Sequence, residues 1–263
     1  MNFIEAIVLG IIQGLTEFLP ISSSGHLEIG KALFGNETIG QESLFLTLVL
    51  HLGTAMSTLV VFKNEILQIL KGLFQLKWNE DARFSLKIIL SMLPAAVVGL
   101  FLQDQIEALF SQNLVLVGGL LLVTAVLLFL ADRAKDTQKK VSYSNAMILG
   151  LVQAVAILPG ISRSGSTIAS AVLLGVDREK AARFSFLMVL PLIFGSMAKK
   201  IVDLGGTPEN TNTLALILGF GAAFLSGIIA CKWMIALVKK SQLKYFSYYC
   251  ILVGGITLFY GLF

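Results

Sequence analysis

Acidic, basic and hydroxyl side chains concentrate in two short stretches of an otherwise apolar sequence. The first, residues 13–26, has the sequence QGLTEFLPISSSGH, and the second, residues 159–167, has the sequence PGISRSGST. Arginine and serine donors bind phosphate oxygens, a glutamate binds a hard cation, and a histidine moves protons near neutral pH. The two stretches together therefore contain the groups that phosphoryl transfer from a lipid-linked phosphate requires.

The first stretch is predicted to be a helix that ends at a proline. Gln13 and Glu17 are four residues apart and share one helix face, and Pro20 lacks the backbone N–H that would continue the helix. The three serines at 22–24 can cap a second helix, whose N-terminus attracts anions. His26 lies one turn past the first of these serines and faces that end. The alternative is a proline kink whose hydroxyls only satisfy freed backbone groups.

The second stretch places an arginine in the same apolar surroundings. An arginine at membrane depth is costly unless an anion or a carboxylate pairs with it. The planar guanidinium of Arg163 suits phosphate oxygens, and Ser162, Ser166 and Thr167 add hydroxyl donors. An ion pair between Arg163 and Glu17 that merely joins two helices is the alternative, but it leaves the surrounding hydroxyls without a role.

The composition predicts a polytopic membrane protein. Of the 263 residues, 56% are hydrophobic and 14% are charged, and the mean hydropathy is +0.84. Because no basic residue precedes Lys31, we expect residues 1–30 to belong to the fold rather than to a signal peptide. Cys231 and Cys250 have neither the spacing of a zinc site nor that of a disulfide framework. No nucleic-acid partner is predicted, since the net charge of +4 is spread over loops.

The apolar segments predict about six transmembrane helices and two re-entrant helical hairpins. The hairpins are expected at 3–33 and 145–175, because the apolar helices beside each break are shorter than the roughly 20 residues of a span. The predicted spans are residues 42–62, 84–103, 113–131, 181–200, 212–232 and 245–262. Residues 63–82 mix apolar and basic side chains and predict an amphipathic helix on the membrane surface. His51, surrounded by apolar residues in the first span, is interpreted as a packing residue.

A repeat relates the two halves of the chain. Residues 6–13, AIVLGIIQ, reappear 140 residues later as AMILGLVQ, and ISSSGH at 21–26 reappears as ISRSGS at 161–166. Since an odd number of predicted spans separates the two hairpins, the repeats would have inverted topology. The prediction is a single all-α integral membrane domain over residues 1–263, with repeat 1 at about 1–131 and repeat 2 at about 141–263.

Basic residues predict the orientation of this domain. Most Lys and Arg residues lie in segments 63–83, 132–140, 178–183 and 232–244, which are therefore expected to be cytoplasmic. The loop between Phe101 and Leu114 and both termini would then lie outside. The broken tips of the two hairpins would enter from opposite sides and meet near the middle of the bilayer.

The two stretches resemble the signatures of a known family. The patterns QxxxEFLPxSSxGH at 13–26 and PGxSRSGxT at 159–167 closely resemble the two motifs of the undecaprenyl-diphosphate phosphatase, or bacitracin-resistance, family. The similarity covers nearly the whole chain. It implies a multi-pass enzyme of the bacterial inner membrane that removes the terminal phosphate of undecaprenyl diphosphate with Mg²⁺ or Ca²⁺. The carrier lipid is thereby regenerated for peptidoglycan synthesis. The implied pocket opens towards the periplasm or cell exterior.

The resemblance also implies roles for single residues. The implied catalytic residues are Glu17, Ser23, His26 and Arg163. The implied substrate-binding residues are Gln13, Ser22, Ser162, Ser164 and Thr167. Glu17 would be the metal ligand, with Gln13 as a second candidate. Some members of the family have glutamate at the position of Gln13, so this chain has one carboxylate there instead of two. Ser23 is the candidate nucleophile and His26 the acid/base, while direct attack by water stays open. The partners would be the polyprenyl diphosphate and the bilayer, and a homodimer is a further candidate assembly.

Two other interpretations compete with this one. An enzyme of the phosphatidic-acid-phosphatase type shares the fragments SGH and SR, but it needs a second histidine after the Ser-Arg pair, and no histidine follows Arg163. A transporter or flippase for a lipid phosphate or a small anion fits inverted repeats with broken helices. Such a protein has little use for Glu17 and His26 beside a row of hydroxyls. Metal-dependent phosphate release would distinguish the two classes.

Overall fold

The computed structural model describes residues 3–33, 41–102, 113–204 and 212–262, which form eleven α-helices. In chain order they are α1 (Phe3–Phe18), α2 (Ser23–Leu33), α3 (Gln41–Val61), α4 (Lys63–Phe74), α5 (Glu80–Phe101), α6 (Leu114–Asp132), α7 (Tyr143–Val155), α8 (Arg163–Leu173), α9 (Arg178–Leu204), α10 (Thr213–Lys239) and α11 (Lys244–Leu262). The all-α prediction is confirmed for this part of the chain. Both chain ends and most of the loop between Phe101 and Leu114 lie outside the described residues.

Five of the described helices are long and apolar enough to cross a membrane, and a bent pair raises the number to six. The five are α5, α6, the first 22 residues of α9, α10 and α11, and each coincides with a predicted span. The sixth is α3 joined to α4, with a bend of 75° at the junction. The chain is therefore a multi-pass membrane protein, and the prediction of about six spans agrees with the higher of the two numbers.

The prediction of one surface helix over residues 63–82 is wrong in the length of the helix. Helix α4 ends at Phe74, and Leu76 then takes a left-handed backbone conformation with φ of 49°. Asn79 caps the N-terminus of α5, because its Oδ1 accepts the backbone N–H of Ala82 at 2.8 Å, and its Nδ2 donates to the Gly72 carbonyl at 2.8 Å. The side chain of Asn79 thus separates the two helices, and the next span begins at Glu80.

The two predicted helix breaks are confirmed. Helix α1 ends two residues before Pro20, and helix α7 ends four residues before Pro159. After each proline the chain turns through a positive φ, 70° at Ser22 and 97° at Gly160. A Cβ on Gly160 would lie 2.5 Å from the Val117 carbonyl oxygen, so glycine is the residue that fits there.

The broken helices are held by close packing against long helices. Helix α1 packs on α10, α7 packs on α5, and α6 packs on α11. Glycines allow the backbones to approach: a Cβ on Gly150 would lie 2.6 Å from the Ser91 carbonyl oxygen, and a Cβ on Gly118 would lie 2.8 Å from that of Gly254. This packing brings the tip that follows α1 and the tip that precedes α8 to one place in the protein interior.

Candidate active site

The carboxylate of Glu17 is the centre of the candidate active site. Its Oε2 accepts hydrogen bonds from Gln13 Nε2 at 2.9 Å and from Ser23 Oγ at 2.7 Å. Its Oε1 forms an ion pair with the guanidinium of Arg163. Because Glu17 is buried, its charge would be costly without partners, and these three donors stabilise it. The structure thus brings together four residues that the sequence singled out, from α1, α2 and α8.

The Glu17–Arg163 pair connects residues 146 positions apart in the chain. Arg163 is the first residue of α8, so its side chain lies where the N-terminus of that helix favours an anion. In this structure the anion is the carboxylate itself. A phosphate group could take its place at the guanidinium, since both present planar pairs of oxygens to the same fork.

Two of the serines predicted to bind substrate cap helices. Ser22 Oγ accepts the backbone N–H of Gly25 at 3.3 Å, and Ser162 Oγ accepts that of Gly165 at 3.1 Å. The backbone N–H of Ser162 also donates to Thr124 Oγ1 at 3.0 Å. These serines fix the shape of the two tips, as the sequence predicted for the first one.

Of the remaining predicted hydroxyls, those of Ser164 and Thr167 contact protein groups, whereas the buried hydroxyl of Ser166 has no hydrogen-bond partner among the described residues. Ser164 Oγ donates to the Leu19 carbonyl at 3.4 Å and so links the two tips. Thr167 Oγ1 donates to the carbonyl of Arg163 at 2.8 Å and contacts the hydroxyl of Ser185. Ser185 lies on α9 and belongs to neither motif, so no signal in the sequence pointed to it.

His26 bonds to groups other than the central carboxylate. Its Nδ1 donates to the Ser22 carbonyl at 2.8 Å, and its Nε2 lies 2.7 Å from the hydroxyl of Tyr249. His26 follows Ser23 by three residues on α2, so the two side chains lie on adjacent positions of one helix face.

His51 is closer to the site than the sequence indicated. Its Nε2 lies 4.0 Å from Oε2 of Glu17, and its Nδ1 donates to the Thr47 carbonyl at 2.8 Å. The interpretation of His51 as a packing residue is therefore incomplete. A polar side chain in the middle of a predicted span was the one available signal, because such residues usually face a functional interior.

A narrow pocket of about 10 Å³, roughly the space of one water molecule, adjoins the ion pair. Its polar end contains Glu17, Arg163 and Ser185, and its wall on α3 contains two threonines, at positions 54 and 58. The apolar part of its lining includes Phe186, Val189 and Ile193 of α9. The pocket thus has a charged, polar end and an apolar wall.

Oxygen atoms of Glu17 and Gln13 would suit a divalent cation that also contacts substrate phosphate oxygens. Within the described residues, no three His, Cys, Asp or Glu side chains form a group that could hold a metal ion alone. However, Oε1 of Gln13 is a buried carbonyl oxygen without a hydrogen-bond partner, on the residue that bonds to Glu17. One carboxylate, one amide oxygen and substrate phosphate oxygens are a ligand set typical of Mg²⁺.

The spans and the buried carboxylate–guanidinium pair define a multi-pass membrane protein with an internal charged site. A family model described as bacitracin resistance protein BacA matches residues 6–256. The chain belongs to this family, and the resemblance inferred from the two motifs is confirmed.

Curated relatives match the chain over almost its full length. A protein of Christiangramia forsetii named undecaprenyl-diphosphatase is 60% identical over 261 residues, which is 99% of each chain. Proteins of the same name from Bacteroides fragilis and Methanococcus vannielii are 50% and 42% identical. The first of these two alignments covers 98% of both chains, and the second covers 97% of this chain and 99% of its relative.

Proposed function

We propose that this protein is an undecaprenyl-diphosphatase. It hydrolyses undecaprenyl diphosphate to undecaprenyl phosphate and inorganic phosphate, and the recycled carrier serves peptidoglycan synthesis, cell shape and bacitracin resistance. One observation carries the proposal: a buried carboxylate binds a serine hydroxyl at 2.7 Å through one oxygen and an arginine through the other. A nucleophile, its base and an anion-binding group are thereby adjacent, and the name of the relatives, undecaprenyl-diphosphatase, indicates the substrate.

Substrate binding begins with an exchange at Arg163. The terminal phosphate replaces Glu17 at the guanidinium and is further stabilised by the N-terminus of α8. The first isoprenoid units lie along the apolar side chains of α9 in the pocket, and the rest of the tail stays in lipid. The exchange leaves the carboxylate of Glu17 with Gln13 and Ser23, so it becomes available as a base.

The phosphoryl group then passes to Ser23. Its Oγ attacks the terminal phosphorus while its proton moves to Glu17, and the bond from that phosphorus to the bridging oxygen breaks. Undecaprenyl phosphate leaves with the electron pair of the broken bond. Water then attacks the phosphoserine, and the proton held by Glu17 returns to Ser23 Oγ as the serine–phosphorus bond breaks. Inorganic phosphate leaves with the protons of the water, and Ser23 and the Glu17 carboxylate are restored. In the alternative, Glu17 deprotonates a water molecule that attacks directly, and Ser23 orients it.

His26 acts as the acid/base that exchanges protons at this site. It lies one helical turn from Ser23 on α2. A Mg²⁺ or Ca²⁺ ion, when bound, would neutralise charge on the phosphate oxygens. The protein groups that would hold it are Oε1 of Gln13 and the Glu17 oxygen that the exchange frees from Arg163, while the other Glu17 oxygen takes the proton of Ser23.

We also propose that the chain is one integral membrane domain of two inverted repeats, at about 1–131 and 141–263. Two observations support this: the caps at Ser22 and Ser162 are alike, and α1 packs on α10 as α7 packs on the corresponding helix α5. With the basic segments in the cytoplasm, the termini lie outside and the pocket opens towards the periplasm or exterior. The protein resides in the bacterial inner membrane.

The first test is release of inorganic phosphate from a long-chain polyprenyl diphosphate by the detergent-purified protein. We expect release with Mg²⁺ or Ca²⁺, none with excess EDTA, and release lowered at least ~100-fold, to a residual rate, in Glu17→Ala and His26→Ala. Glu80→Ala is the matched control, because it removes a carboxylate whose side chain is 82% exposed, pairs with Lys140 and does not line the pocket. Absence of release from well-folded wild-type protein under every metal condition would contradict the proposal and favour the transporter hypothesis.

A further inference from the structure

Tyr249 of α11 contacts His26 in two ways. Its hydroxyl lies 2.7 Å from Nε2 of the imidazole, and the two rings stack with centroids 5.6 Å apart and planes inclined by 15°. We propose that Tyr249 is a positioning residue that holds His26 in the orientation and tautomer of its acid/base role. The proposal rests on the function proposed above.

The hydrogen bonds of His26 define its tautomer. A backbone carbonyl can only accept, so Nδ1 carries a proton and donates it to the carbonyl of Ser22 at 2.8 Å. In the neutral ring, Nε2 therefore has a lone pair, which accepts the hydroxyl of Tyr249. When Nε2 takes up a proton, the same hydroxyl oxygen can accept it as a hydrogen bond, because a phenol both donates and accepts. Tyr249 thus supports both protonation states at one ring nitrogen.

Tyr249 can hold His26 in place because the residues of α11 before and after Tyr249 are themselves anchored. Ser247 Oγ donates to the Ala125 carbonyl of α6 at 2.7 Å, and Cys250 Sγ lies 3.7 Å from the carbonyl of Pro20 at the first tip. Ser247 and Cys250 are both fully buried. The helix that carries Tyr249 is therefore attached both to a membrane span and to the tip that ends in His26.

The test compares Tyr249→Phe with Tyr248→Phe. The phenylalanine at 249 keeps the stacked ring and removes only the hydroxyl, whereas Tyr248 is 54% exposed and serves as the matched control. With the polyprenyl diphosphate as substrate, we expect Tyr249→Phe to lower kcat about tenfold, the effect of losing one hydrogen bond to a group that becomes charged. We expect its KM and its thermal unfolding temperature to match those of the wild type.

A double-mutant cycle separates positioning from a general structural role. In the His26→Ala background, Tyr249→Phe should cause no further loss, because the group that it positions is absent. Two results would overturn the inference. One is an active wild type together with equal kcat values in Tyr249→Phe and Tyr248→Phe. The other is a Tyr249→Phe effect in the His26→Ala background that is as large as in the wild type. Failure of the wild type itself to release phosphate would instead overturn the proposed function.

Discussion

Removing both members of the Glu17–Arg163 pair should destabilise the protein less than removing either one. The relevant variants are Glu17→Gln, Arg163→Gln and the double variant. Each single change leaves one charge without its partner in a largely buried site, while the double change leaves two neutral amides that can bond to each other.

The magnitude follows from burial. Removing one partner of a fully buried ion pair lowers the free energy of unfolding by about 3–5 kcal/mol. Here the side chain of Glu17 is 5% exposed and that of Arg163 is 24% exposed, so the guanidinium keeps some access to the pocket. Glu17, left alone, keeps its bonds from Gln13 and Ser23. We therefore expect each single variant to lose about 2–3 kcal/mol and the double variant about 1 kcal/mol or less.

Reversible unfolding in mixed micelles, followed by far-UV circular dichroism, measures these differences. Phosphate release on the same samples provides the second readout, and all three variants should be inactive, because each lacks a charge that the reaction uses. Stability losses that add, so that the double variant is the least stable, would refute the reasoning that the two charges compensate each other. Retained activity in the double variant would remove both residues from the mechanism.

Two further predictions concern packing and the nucleophile. Gly14→Ala should destabilise the protein by about 1–3 kcal/mol, because the new Cβ would lie 2.6 Å from the Ala223 carbonyl oxygen. Gly221→Ala, where nothing lies within 4 Å, should leave the unfolding temperature unchanged or raise it. Equal losses would show that α1 does not pack as described. Ser23→Ala should lower phosphate release at least ~100-fold and Ser24→Ala should not; a fully active Ser23→Ala enzyme would exclude that serine as nucleophile.

Local signals allowed much of the fold to be predicted. The proline at each tip and the serine after it act on the backbone within a few residues, so the breaks fell where expected. The spans were predictable because bilayer thickness fixes their length. The extent of the helix after Lys63 was not predictable, since it depends on Asn79 reaching back to the carbonyl of Gly72.

The candidate site was only partly predictable for a related reason. The grouping of Gln13, Glu17 and Ser23 was predictable because they are near in sequence. A carboxylate partner for Arg163 was predictable because an arginine at membrane depth needs a counter-charge. Whether a histidine faces the carboxylate depends on the rotation and packing of whole helices, which spacing does not reveal. His51 approaches Glu17 for this reason, while His26 turns towards a tyrosine in the last described helix.

The packing of α1 against α10 has a consequence for how the protein is made. The two helices are separated by about 200 residues, and a ribosome adds about 5–20 residues per second. The N-terminal segment with its buried carboxylate therefore enters the bilayer roughly ten seconds or more before the helix that covers it is synthesised. During this interval the segment lacks its packing partner, and arrival of α10 is the step of biogenesis that completes its enclosure.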